Sequence, residues 1–201
     1  MSDGKSRRLW DERKNAIESV LGPADDTVLH AAVPFHLGGQ ADVLTFRKHV
    51  PGRVAATCEL LGEPSQKRNL LGTYELVVAH RDGNDWGPNV ISRLARYTCD
   101  ALLQPGDTMG IRSAVPAKST IAGFFFDDYK RMYFKGVQSG LLLCIGLTAD
   151  ELSACKRGKR RVVYDALVAK KVFPYTDLYR ASVLKPPGGG GFWRRLTGGG
   201  V

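Results

Sequence analysis

Five cations crowd into six successive positions, Lys156, Arg157, Lys159, Arg160 and Arg161, with only Gly158 between them. Clustered cations displace counterions from a phosphate backbone or steer an acidic protein toward them. No aromatic residue interleaves with this run and no DNA-binding or RNA-binding motif surrounds it. An acidic protein partner, or a plain solvated edge between two helices, therefore ranks ahead of nucleic acid. Lys159, Arg160 and Arg161 are the candidates for contact. A second grouping is the loop His80-Arg-Asp-Gly-Asn-Asp-Trp86. Asp82, Asp85 and Trp86 offer a charged rim beside an aromatic anchor, which suits a protein interface. The same residues also read as local structure, with Asp82-Gly83 a tight turn and Trp86, in the preferred reading, a hydrophobic staple for the next helix. Third, Phe173-Pro-Tyr-Thr-Asp-Leu-Tyr179 gathers Tyr175, Asp177 and Tyr179 in one aromatic-rich stretch. Exposed, it is a docking surface; covered, Phe173 and Leu178 close the core and Pro174 ends the preceding helix, a reading slightly favoured.

Other chemistries lack their residues. There is no G-x-x-x-x-G-K-[ST] loop, and no G-x-G-x-x-G between a strand and a helix, so nucleotide hydrolysis has no support. His30, His36, His49 and His80 are scattered and no G-x-S-x-G elbow is present. Cys58, Cys99, Cys144 and Cys155 stand 41, 45 and 11 residues apart, which is not zinc spacing. They read as reduced thiols of a cytoplasmic protein, two of them inside apolar runs. No metal and no cofactor is expected. The expected role is non-catalytic, with an enzyme or regulator using an unrecognised cleft, or a basic nucleic-acid-binding protein, as alternatives. The charged N-terminal stretch shows no apolar h-region, so no signal peptide is expected, and Leu141 to Leu147 is too short to span a bilayer.

Charge is unevenly placed along the 201 residues. Residues 1–150 carry 18 basic and 17 acidic side chains, residues 151–201 carry 11 and 3, so the net charge of +9 belongs almost wholly to the last quarter. Helical spacing predicts a first helix over Arg8 to Leu21, stopped by Gly22-Pro23. Short runs over Val43 to Phe46, Val54 to Leu61 (alternatively a short helix) and Tyr74 to His80 predict strands. Val90, Ile91, Leu94, Tyr97, Ala101 and Leu102 predict a second helix, opened near Pro88. Met109 to Ile111, Thr120 to Phe126 and Leu141 to Leu147 predict three more strands, the last apolar on both faces and hence central. Thr148-Ala-Asp-Glu151 is a capping box for a helix ending at Gly158, and a short helix over about Val162 to Lys170 follows. The fold class expected is α+β or mixed α/β, a single domain with a central mostly antiparallel or mixed sheet flanked by helices. Its core should include Tyr74, Leu76, Leu94, Tyr97, Leu143 and Ile145. Arg96 should pair with Asp107 or Glu75. Residues 185–201, with Gly188 to Gly191 and a lone Phe192-Trp-Arg-Arg-Leu196, are expected to form a flexible Gly-rich tail.

Several of these segments together resemble the suppressor of fused domain: Tyr74-Glu-Leu, Trp86 through Leu94-Ala-Arg-Tyr97, Pro105-Gly-Asp-Thr-Met109, Leu143-Cys-Ile-Gly-Leu-Thr-Ala-Asp-Glu-Leu152 and Phe173-Pro-Tyr-Thr-Asp-Leu178. The resemblance covers roughly residues 28 to 183 and sets the domain at 1–184. It looks like a bacterial single-domain member, without room for the second lobe of the animal protein. What it implies is a protein-binding module. The animal protein grips an extended peptide of a transcription factor between its two lobes, a partner that one lobe does not carry over. Bacterial members look like immunity proteins of polymorphic toxin systems, so a cognate toxin is the partner expected.

Overall fold

An aliphatic run with no polar face must lie between two layers, and Leu141 to Leu147 does. The computed structural model describes residues 2–81 and 85–184. In chain order these form α1 (Ser2–Leu21), β1 (Val43–Phe46), β2 (Arg53–Thr57), β3 (Thr73–His80), α2 (Trp86–Asp100), β4 (Thr108–Gly110), β5 (Ile121–Phe134), β6 (Val137–Thr148), α3 (Ala149–Lys156) and α4 (Arg160–Ala169). The strands make one six-stranded sheet in the order β1-β2-β3-β6-β5-β4, with β6 parallel to β3 and every other pair antiparallel. Alternate residues of β6 therefore serve two cores. Leu141, Leu143, Ile145 and Leu147 pack with α1, α3 and α4, whereas Leu142 and Cys144 pack on the α2 side. The result is an α+β domain with a mixed sheet, as expected.

Two strands and one helix run further than the hydrophobic pattern reaches. β5 and β6 form a long hairpin from Ile121 opposite Thr148 to Phe134 opposite Val137, turning at Lys135 and Gly136 with φ of 50° and 75°. Two positive φ values match the twist of a two-residue hairpin turn. Asp127, Asp128, Lys130 and Arg131 hid the outer half from a hydrophobicity reading, although its Met132 and Phe134 are buried in the core beneath α1. Likewise α1 begins at Ser2, where charged residues carry no apolar stripe, while β2 stops at Thr57.

Tyr97 and Leu94 depart from the expected core. Tyr97 is 44% exposed and Leu94 half-buried, because α2 meets the sheet through Ile91, Ser92, Ala95 and Thr98 instead. Both stripes obey helical spacing; the one with smaller side chains lets the helix approach the sheet closely. At Gly87 the approach is closest, for a Cβ there would lie 1.8 Å from His80 Nε2. Tyr74, Leu76, Leu143 and Ile145 are fully buried as expected. Arg96 is not paired with an acid. It donates to the Phe35 carbonyl (3.3 Å) and sits over that ring, while Glu75 takes the Thr57 hydroxyl and the Leu60 and Leu61 amides and Asp107 takes the Gln104 amide.

After α4 the chain returns as a strap along the sheet. Thr176 N–H donates to Ala79 O, the Thr176 hydroxyl donates to Cys144 O, and Thr120 N–H donates to Leu178 O. Arg180 clamps the strap to Glu151, which also accepts the Thr148 N–H of the α3 capping box (2.9 Å) and the Val183 N–H. Pro174 lies beyond the end of α4 rather than at it; Leu178 is buried and Phe173 stacks edge-on against Tyr164. The residues expected to form the tail, 185–201, and Asp82 lie outside the described residues.

Candidate protein-docking surface

The expected contact residues scatter over three faces. Lys159, Arg160 and Arg161 are exposed at the turn between α3 and α4. They sit at the start of α4, the positive end of its dipole, where cations are disfavoured by about 0.3–1 kcal/mol each. Arg161 recovers part of this through Asp165 one turn on (2.9 Å), whereas Lys159 and Arg160 make no ion pair among the described residues. Asp85, exposed, accepts from Arg53 at 3.0 Å. Trp86 is half-buried as the first residue of α2, donating Nε1–H to Ala114 O (2.6 Å) and packing against Phe124 of β5, contacts to other segments rather than the within-helix contact of a staple. Tyr175 is not a surface residue: it is 8% exposed, its hydroxyl donates to Pro51 O, and Arg81 covers its ring. Asp177 and Tyr179 remain exposed on the strap, Tyr179 at 61%.

What the sequence reading missed is the flank of α2. Of the helical spacing read from the sequence, Val90, Leu94 and Tyr97 lie on the outer side, Leu94 and Tyr97 against expectation, and Val90 and Leu94 wall one of the two clefts that flank α2. One, of about 560 Å³, runs between α2 and the edge strand β4, walled by Trp86, Val90, Leu94, Met109 and Ile111. The other, of about 650 Å³, lies between α2 and the 29–43 segment, with Val33 and Leu37 52% and 68% exposed. Arg93 borders both. An apolar face wider than one sheet contact requires was the signal available in the sequence.

A third hollow, of about 470 Å³, gathers Trp10, His30, His36, Asp42 and Glu59. The His30 Nδ1 lies 2.7 Å from Asp42 Oδ2, and Asp42 N–H donates to Glu59 Oε2. Burial, opposed by that N–H and reinforced by the Asp42 and Glu75 charges, pushes the Glu59 carboxyl up to about 7. A folded-state value above the unfolded one gives stability that is complete below about 4.5 and is lost as pH rises through 7. Glu59→Gln should therefore show a shallower fall in urea-unfolding stability between pH 5 and 8 than the parent. Equal slopes in the two proteins would remove Glu59 as the cause. No group of three or more His, Cys, Asp or Glu among the described residues is arranged to hold a metal. All four cysteines are free thiols, and burial pushes Cys58, Cys144 and Cys155 up, so these three are protonated at neutral pH. No helix among the described residues is long and apolar enough to cross a membrane.

No family model matches the chain, and no curated protein matches it in sequence. Solved structures do match. A chain from the crystal structure of the Sufu–Fu complex superposes with a TM-score of 0.68 at 14% identity, over 89% of this chain and 91% of that one. A SUFU (suppressor of fused protein) homolog from Neisseria gonorrhoeae matches at 0.64 and 15%, over 90% of this chain and all of the other. Drosophila Suppressor of Fused matches at 0.61 and 15%; 88% of this chain is covered, but it spans only 50% of the fly protein's chain. This chain therefore has the fold of the suppressor of fused structures.

Proposed function

We propose that the chain is a non-catalytic protein-binding module, and that its partner is a toxin of a polymorphic toxin system, neutralised in the cytoplasm by occlusion of its active surface. The observation that carries the binding reading is the pair of clefts on either side of α2, the smaller walled by Trp86, Val90, Leu94, Met109 and Ile111, an exposed feature that the packing of the sheet does not require. The fold supports it, since a structure of this fold is a complex, Sufu with Fu. The toxin is the finer part of the reading and rests on the resemblance to bacterial members. A test is to co-express the chain with the C-terminal domain of a large secreted protein encoded beside its gene. Rescue of growth and a stoichiometric complex on gel filtration are expected. Growth arrest in its presence, with no complex, would refute the toxin assignment.

Trp86, which walls the smaller cleft, remains a proposed contact, and Asp82, Asp85, Asp177 and Tyr179 are proposed as further contacts without being part of either cleft lining. For Lys159, Arg160 and Arg161 the proposed role is steering. Replacing all three with Ser should lower the association rate with that toxin domain several-fold at low salt and flatten its salt dependence, leaving dissociation nearly unchanged. Rates unchanged at every salt concentration would leave the cluster a solvated edge. Loss of tight binding to non-specific DNA would favour the nucleic-acid alternative.

A further inference from the structure

Arg93 stands on the outer face of α2, exposed, between the two clefts. Its neighbours one helical turn away are Asn89, Val90, Arg96 and Tyr97, so it has no acid to pair with along the helix. Asp100 is seven positions on, about 10 Å along the axis. Among the described residues no hydrogen bond or ion pair reaches the guanidinium. The clefts themselves hold no carboxylate: His30 and Arg96 are the other ionisable groups of the larger, and Arg93 is the lone ionisable group of the smaller. Arg96 is already engaged with Phe35, which leaves Arg93 as the free fork.

From this juxtaposition we infer that the α2 surface takes an acidic, amphipathic polypeptide segment, with a carboxylate on Arg93 and an aliphatic or aromatic side chain in the cleft of Trp86, Val90, Leu94 and Met109. The inference rests on the docking reading above and names the chemistry of what docks. A guanidinium binds a carboxylate through two parallel hydrogen bonds, stronger where neighbouring apolar walls exclude water. A docked segment would complete that exclusion over Trp86, Val90, Leu94 and Met109 beside Arg93, and a hydrophobic anchor beside a charged pair is the composition of an interface hot spot. A purely apolar segment would leave the charge of Arg93 facing it unpaired. A basic one would meet Arg93 and Arg96 with no acid to offset them.

The probe is a fluorescein-labelled amphipathic peptide with Leu and Phe on one face and Glu on the other, followed by fluorescence anisotropy against the full chain. Saturable binding is expected, at least tenfold weaker for Arg93→Glu and for a peptide with every Glu replaced by Gln, and partly retained by Arg93→Lys. Circular dichroism melts of both exposed-site variants should overlay the parent. Leu94→Glu should also abolish binding by spoiling the cleft wall. Absence of binding by the parent, or equal binding by Arg93→Glu, overturns the inference. So does an oligo-dT strand that competes the peptide off and is itself lost in Arg93→Glu, because the anion would then be a phosphate backbone. The docking reading is judged separately with the toxin domain: binding lost in Leu94→Glu but unchanged in Arg93→Glu removes the acidic occupant and keeps the surface, whereas binding unchanged in both removes the surface as well.

Discussion

Replacing Leu143 with Asp is expected to abolish the cooperative unfolding transition. Leu143 is fully buried in β6, flanked by Val77 of β3 and Asp127 of β5. It shares an apolar core with Leu141, Ile145 and residues of the helices α1, α3 and α4. Burying an unpaired carboxylate costs several kcal/mol or forces it to stay protonated, against a total stability of about 5–15 kcal/mol for a domain. The position directly across the strand makes it worse. Burial already pushes the Asp127 carboxyl above its ordinary range, with the neighbouring Asp128 charge adding to it, and like charges opposed across a ladder repel. Leu143→Ala, by contrast, creates only a cavity and should cost about 2–5 kcal/mol while keeping a single transition. Urea titration followed by near-UV circular dichroism separates the two; an Asp variant that unfolds like the parent would refute the placement of β6 at the centre of the sheet.

Removing the guanidinium of Arg180 should be the next most damaging change. Its two terminal nitrogens donate to the two oxygens of Glu151 at 2.7 and 2.6 Å, and one of them also to Gly146 O, with side-chain exposures of 6% and 0% for the pair. Arg180→Ala leaves a buried carboxylate without its counter-charge and is expected to cost about 3–5 kcal/mol. The same loss frees the strap, because Glu151 also accepts the Val183 N–H (2.7 Å). Replacing both partners by apolar residues should cost much less than either loss alone, since the penalty is the stranded charge rather than the lost attraction. The pH dependence has a definite sign. Burial raises the Glu151 carboxyl, but the hydrogen bonds and charge of Arg180, with the Val183 and Thr148 N–H groups, outweigh it and hold the value below 4.5. The pair therefore contributes fully above 4.5, and its contribution is lost as pH falls through the lowered value. Glu151→Gln should flatten this acid limb in a thermal-melt series from pH 6 to 3. A Gln variant with the parent's acid limb would assign that limb to other carboxylates.

The sequence by itself determined the elements whose burial is one-sided or complete over a short range. The unbroken aliphatic run of β6, the capping box at Thr148 and Glu151, and the changes of period at Val43, Trp86 and Leu141 record interactions made within a few residues, so they are legible without the fold. From them followed a mostly antiparallel or mixed sheet flanked by helices, four of the six core residues named in advance, and free cysteines inside apolar runs. Tertiary structure alone decided which of two helical stripes of α2 faces inward. Val90, Leu94 and Tyr97 satisfy the period as well as Ile91, Ala95 and Thr98 do, and the choice falls to the stripe whose small side chains fit against β2 and β3. That choice turned Leu94, expected in the core, into the wall of a cleft and placed Arg93 between two clefts. The partners of Glu75, Arg96 and Arg180 were equally invisible, because each lies many positions away in sequence. A charged side chain's environment is set by what the chain brings to it from a distance, which composition and periodicity do not encode.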